Sequence, residues 1–400
     1  MVISIIIYKA SEQDSTRNMP LSRGYRGLST LVLALAALTL CSAITIAYSS
    51  TPYDVYTPPL LRVYPLGFSK RLPSPFNLKI LVVPVSLADA PFTDYDMETF
   101  KEWLRYASDY WFSASKGKVR ISWSIYPKTV LIPYKVEEVA VMLESNRWLF
   151  EDYLPPRAEE YNVIVFVHSS VPFEAGNPKG IWSQTIRYHP ESYPYLPSIM
   201  IVSTKGSIDT LVHEIGHLLG LEDEVYGVTE GVVYSPMGFF VGTVQLGYVV
   251  AGLEPILPPY PSLPELWIAD IIDRDKTMAI IVPSEVRKPI TVELYPISSQ
   301  HPRGIFVPMH FEVEDLGFGC KEYRAWGYFI EVRFPEGYDS VISRYNNPFR
   351  ERHDGAISYP FIIVYNYTMK ADYDNLGQPY LAKYKLTEVP LGFEESLSKI

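Results

Sequence analysis

Ser207–Asp223 reads SIDTLVHEIGHLLGLED, and the fold is read outward from this stretch. Ser207 fits an N-cap, and the residues after it continue as helix up to Gly220. His213 and His217 are four residues apart, so their imidazoles share one face about one turn apart, within reach of a single ion. Glu214 is rotated by roughly 100° from His213, which sets its carboxylate beside a water at the ion and off the ion itself. Leu211, Val212, Ile215, Leu218 and Leu219 supply an apolar face that fixes the helix in a core. A rigid helix holds ligands better than a loop.

Gly220, just past the last turn, takes positive φ readily, and a chain that does so there reverses under the helix end. Three extended residues span about 10 Å, enough to bring Asp223 to a third coordination position. Carboxylate oxygen is an ordinary zinc donor. Two alternatives stand beside this reading: Glu265 as a distant third ligand, and Glu222, Asp223 and Glu224 as a structural calcium site. The spacing H-E-x-x-H-x-x-G-x-x-D resembles the extended metzincin motif with Asp in place of the usual final His. Metzincins also carry a methionine turn beneath the metal. Met237, in Tyr234-Ser-Pro-Met-Gly238 and fourteen residues beyond Asp223, matches it in order and setting. Tyr234, beside that turn, suits an oxyanion stabiliser.

Upstream, Leu78–Leu87, Lys118–Tyr126, Tyr161–Val167 and Ser198–Ser203 read as strands. Tyr95–Ser115 and Val136–Tyr153 have helical spacing, with Met97, Phe100, Leu104 and Trp111 on one side of the first. Strands alternating with helices and ending in the histidine helix predict an α/β domain with a mixed twisted sheet, zincin-like, over residues 77–275. Beyond it, Ile290–Tyr295, Ile305–Glu314, Tyr328–Phe334 and Ala356–Tyr367 read as strands of a smaller β-rich domain over 276–400. Among the other histidines, His168 ends a strand and reads as a satisfied core-edge residue. His189, His301, His310 and His353 read as surface.

Residues 1–50 read as a signal peptide or amino-terminal anchor. Leu28–Ala47 is an uncharged run preceded by Arg17, Arg23 and Arg26, which fits either a cleaved signal or one retained transmembrane helix, the membrane contact this chain would have. Met19 makes a more conventional start than Met1. Residues 51–76 are a Pro-rich linker. Export predicts an extracellular or cell-surface protein, and the sequon Asn366-Tyr-Thr is compatible with it. The two cysteines, Cys41 and Cys320, allow no intradomain disulfide once the apolar run is cleaved or left in a membrane. A formal charge of -10 without basic runs argues against a nucleic-acid partner. Scarce amides, nine Asn and five Gln, with abundant Pro fit a heat-adapted source as well as compositional drift.

The motif HEIGHLLGLED resembles the H-E-x-G-H-x-L-G-L-P-D of the immune inhibitor A family of metallopeptidases, with Glu222 where Pro is usual. SDYWFSASKGKVRISWSIYP (108–127), GIWS (180–183) and GYFIEVRFPEGYD (327–339) match the same family's texture, so the resemblance spans about residues 77–370. Glu331 and Arg333 lie in the last of these and read as a structural ion pair. The family's additional C-terminal modules have no counterpart in these residues. The resemblance implies an exported zinc endopeptidase acting on protein or peptide substrates, with the metal on His213, His217 and Asp223 and Glu214 as general base. The alternative is a non-catalytic surface-binding protein that keeps the fold. Such a protein usually loses the base or a ligand, and this chain retains them all.

Overall fold

The computed structural model describes residues 3–7, 75–145, 149–171, 181, 183–186, 197–221, 235–237, 258–281, 290–317, 320–334, 336–343, 361–373 and 379–388. The linker up to residue 74 and the apolar run 28–47 lie outside these, as do His189 and His353. Strand β1 (Ile3–Ile7) pairs antiparallel with Ile290–Leu294, from Ile3 opposite Leu294 to Ile7 opposite Ile290.

The chain is a mixed α/β protein with few helices. Its first sheet has the order β3 (Val119–Ile125), β2 (Phe76–Leu87), β5 (Val163–His168), β7 (Ser198–Ser203), β6 (Gln184–Ile186), and β4 (Val130–Ile132) continues along β2 past the end of β3. All pairings are parallel except β6 with β7. Parallel strands need helical crossovers, so both faces of the central strands become covered, while the edge strand β3 alternates buried or half-buried positions with open ones. β5 and β7 are buried at every position. Their side chains alternate between two cores. Val163, Val165, Val167, Met200 and Val202 join one, and Ile164, Phe166, Ile199 and Ile201 the other.

Helix α1 (Asp94–Ala114) covers the first face. Thr93 and Asp96 form its capping box, and Phe100, Trp103, Leu104, Ala107, Tyr110 and Trp111 form its buried side. Met97, expected on that side, sits at its partly buried margin. Helix α2 (Val136–Ser145) belongs to the second face through Val139 and Leu143. The helix expected over 136–153 ends at Ser145, and a 3-10 turn at Leu149–Tyr153 follows.

Helix α3 (Ile208–Leu218) lies against α1. Ser207 occupies its N-cap position, yet its hydroxyl pairs with that of Thr210 at 3.2 Å instead of capping a backbone amide. Trp111 joins the helices directly, its indole N–H donating to the carbonyl of Val212 at 3.2 Å.

Helices α4 (Leu263–Ile268) and α5 (Arg274–Thr277) lead into a second sheet of order β13 (Pro379–Glu388), β12 (Phe361–Tyr373), β11 (Cys320–Arg333), β10 (Gly304–Gly317), β8 (Met278–Ile280). The partner of β1, Ile290–Leu294, is β9. The strands β10 to β12 run longer than the apolar pattern alone indicates, because backbone pairing carries them through charged residues such as Glu312 opposite Arg324. Trp267 on α4 packs against Phe306 and Phe329 of this sheet, with ring centroids 5.8 and 5.7 Å apart. One apolar cluster therefore runs from α1 and α3 through α4 to Phe306, Phe329 and Tyr365.

A buried ion cluster pins the same junction. Arg333 contacts Glu331 through Nε and Asp339 through Nη1, each at 2.8 Å, and donates to the carbonyls of Tyr260 and Pro261. Glu331 also accepts from the backbone N–H of Leu263 at 2.7 Å. The structural pairing of Glu331 with Arg333 is thus as expected.

Among the described residues no helix is long and apolar enough to cross a membrane.

Candidate metal centre

His213 and His217 stand half-buried on one face of α3, their ring centroids 4.6 Å apart and nearly perpendicular at 87°. Each Nδ1 meets a backbone carbonyl: that of Pro236 at 2.8 Å for His213, and that of Leu221 at 3.0 Å for His217. A carbonyl oxygen only accepts, so both Nδ1 atoms carry the proton. In the neutral ring Nε2 is then the lone-pair nitrogen, which is the tautomer a metal ligand needs.

The helix ends as its glycine dictates. Gly220 has φ +93°, its N–H donates to His217 O at 3.1 Å, and Leu221 N–H donates to Gly216 O at 3.0 Å. These two bonds define a Schellman motif. The reversal turns the carbonyl of Leu221 back toward His217, so the helix stop also sets a histidine tautomer. Asp223 follows two residues later and lies outside the described residues, with Glu222, Glu224 and Tyr234. The third-ligand, calcium and oxyanion assignments fall there.

Met237 is fully buried beneath α3. A Cβ built on Gly216 would stand 2.4 Å from its sulfur, so any larger residue there would force the methionine to move. Glycine inside a helix costs about 1 kcal/mol relative to alanine, and here close approach supplies the reason.

Glu214, 5% exposed, receives a hydrogen bond from the Thr185 hydroxyl at 2.5 Å to Oε2. The same hydroxyl lies 3.2 Å from the backbone oxygen of Glu214, and its one proton serves one acceptor at a time. Thr185 belongs to β6, the antiparallel edge strand beside α3.

Glu265, considered from sequence as a distant third ligand, has its carboxylate engaged by two serines. It is fully buried at the start of α4, with the Ser235 hydroxyl 2.9 and 2.7 Å from its two carboxylate oxygens and the Ser262 N–H donating at 2.5 Å. Burial pushes its carboxyl up to about 7, against the lowering effect of the Ser235 and Ser262 hydrogen bonds.

His168 is buried as expected but satisfied at one nitrogen only. Its Nδ1 lies 2.7 Å from the Ser170 hydroxyl, its Nε2 has no hydrogen-bond partner among the described residues, and burial holds its pKa down at about 4. His301 and His310 are exposed.

Thr185, Ser235 and the seat at Gly216 were not singled out from sequence. Glycine between Glu214 and His217 was the one available signal, since a helix interior tolerates it only for a cause.

No protein-family model matches the chain, and no curated protein does. Among solved structures, the chain is similar to metalloproteinase-II from Bacteroides fragilis. That match has 13% identity and a TM-score of 0.22, and covers 46% of this chain and 53% of that one. The chain thus spans about half the length of that relative. At that score the likeness carries no argument about the site.

Proposed function

We propose that the chain is an exported zinc-dependent endopeptidase of metzincin type, related to the immune inhibitor A family. One observation carries the reading: both helix histidines have Nδ1 tied to a carbonyl, which leaves two Nε2 donors on one face with a buried glutamate beside them. This donor set fits zinc, with His213 and His217 as ligands and Asp223 as the third. Zinc, when bound there, supplies a Lewis acid that polarises a peptide carbonyl and acidifies water.

The chain's own residues do the rest. Glu214 takes the proton of the attacking water on a carboxylate oxygen and delivers it to the departing amine. Thr185 holds that carboxylate in place through Oε2, so the base is oriented before substrate arrives. Tyr234 is proposed to stabilise the oxyanion. The apolar run 28–47 supports export, and the substrate is an extended polypeptide in contact with α3 and β6.

The test uses Glu214→Gln. The amide cannot accept the proton, so the variant should bind zinc at one equivalent and lose at least about 100-fold in cleavage of casein or a peptide library. Wild-type cleavage by this variant removes Glu214 as the base. Wild-type protein that takes up no zinc at neutral pH removes the metallopeptidase reading.

A further inference from the structure

Below α3 a chain of hydrogen bonds runs from one buried carboxylate to one metal-binding histidine. The Ser235 hydroxyl donates its one proton to the Glu265 carboxylate, whose two oxygens lie 2.9 and 2.7 Å away. Because that proton is committed, the lone pairs of the same hydroxyl are left to accept, and the Met237 N–H donates to them at 3.1 Å. This closes a tight turn over Ser235, Pro236 and Met237. The turn aims the Pro236 carbonyl at His213 Nδ1. It also seats the Met237 side chain against Gly216, one turn along from Val212, where Trp111 anchors the helix.

The carboxylate is an expensive way to cap a six-residue helix. The Ser262 hydroxyl already accepts from the Glu265 N–H at 3.2 Å and makes half of the capping box. The neighbouring cation, Arg333, is bonded to Glu331 and Asp339 and reaches Glu265 only as a through-space charge that lowers its pKa. A fully buried carboxyl held by the Ser235 hydroxyl and the Ser262 N–H fixes the direction of the hydrogen bonds it makes. The direction fixed here is that of Ser235.

We propose that Glu265 is a positioning residue for His213, acting through Ser235 and the turn that presents the Pro236 carbonyl. This rests on the metal-site reading above. Without the Glu265–Ser235 bond the turn loses its anchor, the Pro236 oxygen is no longer held at Nδ1, and His213 loses the partner that fixes its tautomer and ring orientation. Outer partners of metal-binding histidines typically carry ten- to a hundredfold in metal affinity.

The experiment measures zinc affinity of the full chain by chelator competition, and the visible spectrum of the cobalt(II) form. It compares wild type, Ser235→Ala, Glu265→Gln and Ser262→Ala, with thermal midpoints recorded in parallel. Ser235→Ala should bind zinc about ten- to a hundredfold more weakly and shift the cobalt bands. Glu265→Gln, which keeps the shape and one acceptor, should weaken binding to a smaller extent and serves if Ser235→Ala fails to fold. Ser262→Ala weakens the same helix cap and takes one hydroxyl from the Glu265 carboxyl while Ser235 stays in place, so it should lower the midpoint and cost less zinc affinity than Ser235→Ala. Affinities of Ser235→Ala and Glu265→Gln equal to wild type overturn the proposal, as does an equal loss in Ser262→Ala, which would make the link one of helix stability alone. Wild type without zinc affinity fails the metal-site reading itself, an outcome seen before any variant is compared.

Discussion

Gly216→Ala should reverse its sign of effect when Met237 is removed. In the wild-type background the new methyl lands 2.4 Å from the Met237 sulfur, 3.3 Å from its terminal methyl and 3.4 Å from Trp111 Cζ2. Carbon and sulfur in contact need well over 3 Å, so the methionine must retreat by about 1 Å or more. It has little room, since its side chain is fully buried in the core cluster. Overpacking of this kind costs about 1–3 kcal/mol, while alanine gains about 1 kcal/mol over glycine inside a helix. The single variant should therefore be destabilised by up to about 2 kcal/mol. In a Met237→Ala background the clash disappears and the helix gain remains, so the same change should stabilise by up to about 1 kcal/mol. Met237→Ala alone costs about 2–5 kcal/mol. Urea denaturation of the four proteins in the double-mutant cycle gives the coupling directly. If Gly216→Ala lowers stability equally in both backgrounds, the methionine does not sit where the helix requires glycine.

Thr185→Val keeps the shape and deletes the hydroxyl on the proposed base. A hydrogen bond to a charged group is worth about 1.5–3 kcal/mol, so kcat should fall roughly ten- to a hundredfold with zinc content unchanged, and an unchanged kcat would separate Thr185 from the base. Glu265 gives stability a downward slope with rising pH. Folded, it holds its proton up to about 7, while the unfolded chain releases it near 4.5. The contribution is thus whole below pH 4.5 and lost as pH climbs through 7, on the order of 3 kcal/mol. Metal-free Glu265→Gln should lack this component, and denaturation curves parallel to wild type from pH 4 to 8 would contradict it. His168 acts in the opposite direction. Its folded pKa of about 4 lies below the ordinary 6.5, so stability is full above pH 6.5 and is lost as pH falls toward 4. His168→Asn should flatten that acid limb, and an unaltered limb would show that burial does not hold the ring neutral.

The sequence displays its helix chemistry more openly than its supports. Histidines four apart, a glycine stop and apolar neighbours are local patterns, and α3 with positive φ at Gly220 follows from them. The same holds for β5 and β7, whose uninterrupted apolar runs announce strands covered on both faces. Thr185 is different, for it meets Glu214 across 29 positions, on a three-residue strand too short to carry a period. Ser235 and Glu265 are 30 apart, and the serine gives no sign of which distant acid it serves. Glu265 itself looks like a free carboxylate until its helix is seen to be six residues long and buried. The strands β10 and β11 outrun their apolar pattern because backbone pairing across a hairpin is set between residues distant in sequence.

The pairing of Ile3–Ile7 with Ile290–Leu294 makes location and fold compete for one segment. Residues 3–7 precede the apolar run at 28–47, and residues 290–294 follow it. A run that stays in a bilayer leaves the two strands on opposite sides, while a run cut away behind its small residues takes β1 with it. Synthesis begun at Met19 omits β1 altogether. In each case an exported molecule presents β9 with its five-residue β1-paired edge open, a row of backbone donors and acceptors ready for another extended segment. If the proposed export holds, the mature molecule would lack β1 on β9, and that edge would be free to take another extended segment.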